Sequence, residues 1–150
     1  DLLLHDGIAT SKVDATEVVL IERMITMYQF NAASAADTAY LDANTLFTLS
    51  FLRYDFRNML ALKYPRHKLA NDGTRYGAGQ AIITPKVGRA EAIAKFREWE
   101  SAGLVEGGDQ FKRDLIVERN VSDVNRLDFY LPPDLVNQLV VCGVQIGFLL

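Results

Sequence analysis

The run from Leu139 to Leu150 constrains this chain more than any other stretch. Val140, Cys142, Val144, Ile146 and Phe148 fall on one face of an extended segment, with Leu139, Val141, Gly143, Gln145 and Gly147 on the other. An apolar face at a period of two needs a sheet to lie against. Pro132-Pro133 stands a few residues earlier, and proline donates no ladder hydrogen bond, so the run cannot continue the strand before it. Two outcomes stay open on this pattern. The run pairs within its own sheet, or it pairs with the exposed edge of another subunit. The organisation expected is one domain over 1–131 and a C-terminal arm or strand over 132–150.

The remaining elements follow from local chemistry. Apolar and β-branched density through Glu17–Tyr28 predicts a strand buried on both sides, with Gly7–Asp14 supplying a shorter partner strand. Asn31–Asp37 is a small polar connection. A helix is expected from an N-cap at Asp42, with Leu46, Leu49, Leu52, Phe56, Met59 and Leu60 inward, Arg53, Asp55, Arg57 and Asn58 outward, and Pro65 closing it. Thr84 and Pro85 open a second helix through Val87, Ala90, Ile93, Ala94 and Trp99 that ends at Gly103. Strand-like runs follow at Asp114–Glu118 and Arg126–Leu131. The class is therefore α/β (α+β): a mixed β-sheet, built from the early strand and the last three runs, packed against two main amphipathic helices.

Composition narrows the function. With 150 residues and 49% apolar residues, the chain is long enough for one core. A net charge of −3 argues against a dedicated nucleic-acid binder, and no segment has the length of uncharged apolar sequence that a membrane span needs. A single cysteine, Cys142, forms no internal disulfide or zinc site and reads as core or interface. The opening Asp1-Leu2-Leu3-Leu4-His5-Asp6 lacks Met and a basic n-region, which reads as part of a longer chain rather than a signal peptide.

Chemistry-bearing constellations are scarce. His67, between Arg66 and Lys68, reads as a surface-loop residue rather than a base, and His5 carries less weight still. Gly73–Gly79 is glycine-rich but fits neither the P-loop nor the dinucleotide spacing, so it reads as a loop with special backbone angles. No catalytic triad, carboxylate pair or metal spacing is present, so neither enzyme activity nor a cofactor is expected. Charge is lopsided: residues 1–42 carry seven acids against two bases, and 43–75 carry six bases against two acids. Lys63, Arg66, Lys68 and Arg75 are the interaction candidates, for an acidic protein surface rather than nucleic acid.

Several stretches together resemble one family. They are Asn31-Ala32-Ala33 with Ala36–Asp42, Leu62-Lys63-Tyr64-Pro65-Arg66-His67-Lys68-Leu69-Ala70, Asp72–Arg75, Gly79–Ile82, Trp99–Glu106, Leu115–Asn120 and Leu131-Pro132-Pro133-Asp134-Leu135-Val136-Asn137-Gln138. This is similar to the C-terminal region of the contractile tail sheath protein of Mu-like phages and prophages, from about Val18 onwards. The resemblance implies an inner sheath domain in a helical array of identical subunits around a tail tube. It also implies baseplate and tail terminator proteins as partners, assembly in the host cytoplasm and a place in the virion. The array would contract to drive the tube through the host envelope. On this reading the residues meeting neighbours or tube are Lys63, Arg66, Lys68 and Arg75, with Leu139, Val140, Val144, Ile146 and Phe148 of the terminal strand. The alternative is a non-enzymatic α/β module that holds an acidic protein through its basic loop.

Overall fold

The computed structural model describes residues 2–148, the His5 side chain excepted. In chain order the elements are α1 (Leu2–His5), β1 (Thr10–Val13), β2 (Val19–Arg23), α2 (Ala43–Lys63), β3 (Lys68–Leu69), β4 (Ile82–Ile83), α3 (Pro85–Ser101), β5 (Val105–Glu106), α4 (Gly108–Asp114), β6 (Ile116–Arg119), β7 (Leu127–Tyr130) and β8 (Asp134–Leu135). They fall into two compact units. The first holds the described residues up to Lys68 and Arg75–Ile83; the second holds Leu69–Thr74 and the described residues from Thr84 onward. The class is mixed α/β, as expected. Instead of one sheet, the described residues form four two-stranded pairs, β1-β2, β3-β4, β5-β8 and β6-β7.

In the first unit, β1 and β2 form an antiparallel hairpin with Val13 opposite Val19 and Ser11 opposite Ile21. Its turn is organised by Asp14, whose carboxylate accepts from the Thr16 amide at 2.8 Å, the Thr16 hydroxyl at 2.7 Å and the Val18 amide at 3.0 Å. The Thr16 hydroxyl, then these backbone amides, hold the Asp14 carboxyl below the usual carboxylate range. Sequence density predicted a strand buried on both faces, and this is corrected. Val19 and Ile21 are 68% and 70% exposed, because no element among the described residues covers them. Apolar character makes burial favourable; only a facing element makes it happen.

Asp42 stands at the N-cap of α2, as expected, but its side chain caps no amide. It pairs instead with Arg23 Nε at 3.3 Å, tying the end of β2 to the start of the helix. Leu52 and Phe56 bury the inner face, with Leu49, Met59 and Leu60 half-buried; Leu46 lies at the exposed margin. Tyr64 takes the C-cap before Pro65. A second apolar stripe at helical spacing, Phe47, Phe51, Tyr54 and Leu62, lies exposed.

The second unit contains the denser core. Thr84 Oγ1 accepts from the Val87 amide at 3.4 Å, and Pro85 opens α3. The helix ends in a Schellman turn at Gly103, whose φ is 71°. There the Leu104 amide reaches the Trp99 carbonyl and the Gly103 amide the Glu100 carbonyl, each at 3.0 Å. Ala92, Phe96 and Trp99 turn inward to meet Val105, Phe111 and Leu115. Phe96 and Phe111 stack at 4.1 Å between centroids. The Arg89 guanidinium donates to the Lys112 and Leu115 carbonyls, satisfying the C-terminal end of α4 from α3. The β6-β7 hairpin lies against α3, where Gly88 meets the tips of Leu127 and Phe129. In its loop Asn120 donates to Asp128 at 2.6 Å, and this bond, with help from Arg126, holds the Asp128 carboxyl below its ordinary range.

Candidate assembly surface

The chain returns once more to the core after Pro132-Pro133. Asp134 and Leu135 pair with Glu106 and Val105, and the Val136 amide donates to the Leu104 carbonyl at 3.2 Å. Beyond Val136 no helix or strand is present among the described residues, and none of 137–148 makes a hydrogen bond to the rest. Leu139, Val140, Val144, Ile146 and Phe148 are all exposed, Ile146 and Phe148 by 88% and 82%. Among the described residues, the predicted terminal strand therefore has no ladder partner. Leu149 and Leu150, its last residues, lie outside the described set. Cys142 is also exposed, so it is no part of this chain's core.

Those five side chains remove a large apolar area from nothing in this chain. Fully covering a Val, Leu, Ile or Phe contributes about 1.5–3 kcal/mol each. The backbone of 137–148 adds a row of unused donors and acceptors. An extended segment with free backbone groups and an apolar face is the complement of an open sheet edge. Each two-stranded pair of this chain leaves such edges.

The basic candidates all belong to the first unit. Lys63 ends α2 with its ammonium 5.9 Å from the Tyr64 ring centre, and His67 packs edge-on to the same ring at 4.8 Å. Arg66, Lys68 and Arg75 are exposed, and their side chains have no hydrogen bond or ion pair among the described residues. Arg75 stands apart, on a stretch exposed at every position from 71 to 80. The special backbone angles expected of this loop occur at Gly73 and Gly79, with φ of 90° and 79°.

Among the described residues there is no group of three or more His, Cys, Asp or Glu side chains placed to hold a metal, and no helix is long and apolar enough to cross a membrane. A polar contact in the first unit is Tyr28 Oη donating to Asp37 at 2.6 Å, which raises the phenol and lowers the carboxyl, Asp37 also accepting from the Ala39 amide. Around it lie Leu4, Phe30, Ala36 and Leu41, with Gln29 and Thr38, and the Tyr40 ring packs edge-on to Tyr28 at 5.4 Å. Two surface features were missed from sequence: the Phe47, Phe51, Tyr54 and Leu62 stripe, whose spacing of four, three and eight was there to be read, and the role of Asp134, which depends on a ladder no local pattern reports.

Comparison with known proteins adds what geometry alone does not carry. Residues 35–147 match the family described as the phage tail sheath C-terminal domain. Over 148 residues the chain is 47% identical to the Mu-like prophage FluMu tail sheath protein of Haemophilus influenzae, covering 99% of this chain and 30% of that protein. The chain thus spans less than a third of the length of this curated relative.

Proposed function

The chain belongs to the phage tail sheath C-terminal domain family, and on that premise we propose that it is the assembly domain of a sheath subunit whose terminal segment links it to a neighbouring copy. The observation that carries this reading is the segment 137–148, whose sequence alternates to an apolar face, whose apolar side chains are exposed, and which has no ladder partner among the described residues. Pairing to a neighbour's sheet edge would satisfy its backbone and cover Val140, Val144, Ile146 and Phe148 together. Such links survive large rigid-body movements, because parallel rows of backbone hydrogen bonds move with the strands that make them. A mesh of this kind suits a cylinder that shortens around a tail tube and drives it through the host envelope. The domain's role is mechanical rather than catalytic, and energy for contraction would be stored in the extended lattice.

Lys63, Arg66, Lys68 and Arg75 fit contacts with acidic surfaces on the tube or on adjacent sheath subunits, within a virion tail built in the host cytoplasm. The test is a full-length subunit ending at Val136. This end point matters, because stopping at Leu131 would also remove the β8 rung on β5. Negative-stain microscopy should show cylinders from the complete subunit, with and without tube protein, and dispersed particles from the shortened one. Cylinders from the shortened subunit would refute the linking role. Dispersed particles from the complete subunit under all salt conditions would favour the alternative of a module holding an acidic protein.

A further inference from the structure

The two faces of the β1-β2 hairpin differ in kind. Val13 stands opposite Val19 and Ser11 opposite Ile21, so these four side chains share one face. It is apolar and open: Val13 is 63% exposed, and Val19 and Ile21 more so. Arg23 closes this face at its base, where it is already paired with Asp42. The opposite face sets Lys12 beside Leu20, with Glu22 next along β2, and its charges suit water. The hairpin is also anchored. Just past β2 the Thr26 amide donates to the Leu41 carbonyl at 2.7 Å, and the Ala43 amide to the Met24 carbonyl at 3.2 Å. A two-stranded ribbon is marginal in water unless a further layer packs on it. This one is held at its base with its apolar face bare.

We infer that the Val13, Val19 and Ile21 face packs against the part of the sheath subunit that lies outside this chain, as a buried joint within one subunit. Two boundaries point to that occupant. The family match takes in 35–147 and so leaves the hairpin out, whereas the match to the longer relative covers 99% of this chain and takes the hairpin in. That match fills only 30% of the relative, so most of such a subunit is available to supply the covering layer. A donated strand such as 137–148 is the wrong shape for the task. It pairs with an edge through its backbone, whereas an apolar face needs a layer stacked on it at about 10 Å. The inference rests on the family membership and not on the linking role of the terminal segment.

Thiol labelling of the full-length subunit tests it, with each site read by peptide mass. The thiol introduced by Ile21→Cys should react at least about tenfold more slowly in the dispersed, folded subunit than in the unfolded one. Assembly into cylinders should leave that protection unchanged. Val13→Cys reads the same face from the other strand, and serves if the first variant loses its cooperative melt. Fast labelling in the dispersed subunit that slows only in cylinders assigns the cover to a neighbouring copy and overturns the inference. Fast labelling in both states shows an open face and overturns it as well. Either result leaves the sheath reading intact, since that is judged by whether the unsubstituted subunit forms cylinders.

Discussion

Gly88 lies in the interior of α3, where alanine ordinarily stabilises a helix by about 1 kcal/mol over glycine. Here the opposite sign is expected. A Cβ at this position would sit 3.0 Å from Phe129 Cζ, 3.1 Å from Phe129 Cε1 and 3.1 Å from Leu127 Cδ2, all on β7. Three contacts that close force β7 away from α3 or push both side chains off their rotamers, and such overpacking costs about 1–3 kcal/mol. The clash therefore outweighs the propensity gain, and Gly88→Ala should be destabilised by about 1 kcal/mol. At this chain length that lowers the melting temperature by about 2–4 °C. Gly88→Val, with two further carbons in the same space, should lose several times as much. Thermal unfolding followed by circular dichroism measures both. The cause is checked by Phe129→Leu: in its background the cost of Gly88→Ala should shrink by at least half, a coupling that a backbone effect would not show. A Gly88→Ala protein that melts higher than the parent would refute the close α3–β7 contact.

Two further outcomes follow from the packing and the carboxylate partners. Phe111→Ala removes a fully buried ring stacked on Phe96 and should cost about 3–5 kcal/mol, seen as loss of the cooperative melt well below the parent's midpoint. Asp14, Asp37, Asp109 and Asp128 all have carboxyls lowered by their partners, so each contributes stability above the ordinary carboxylate value that is lost as pH falls through the lowered one. Melting temperature should hold from pH 7 to about 5 and drop below about pH 4; in Asp128→Asn, whose lowered carboxyl is gone, the drop should be smaller.

The parts of the fold legible in sequence were those fixed by local chemistry. Thr84-Pro85 and Gly103 marked both ends of α3, because a capping hydroxyl, a preset φ and a left-handed residue act within a few positions. The β1-β2 and β7 strands were likewise visible from their apolar runs. What could not be read was set by partners distant in sequence. α4 passed unseen, since seven residues between Gly107 and Leu115 show little periodicity and depend on Phe111 finding Phe96. Burial of β2 was overcalled because apolar density states a need and not its fulfilment. For the surface, the terminal run announced itself by its alternation. The β5-β8 pair could not, since its two strands lie over twenty residues apart in sequence.

Tension on the terminal segment has a definite route into the domain. A pull at Asn137 runs along β8, whose antiparallel bonds to β5 lie across the strand direction and so share the load in shear. From β5 the force passes at once into the Schellman turn of α3 and the Trp99 beneath it. Pro132-Pro133, with two fixed φ angles and little slack, ties the other end of β8 to the β6-β7 hairpin. The tail is thus moored beside the end of α3, so a tug on it is handed to the helix that carries Phe96 and Trp99 of the core.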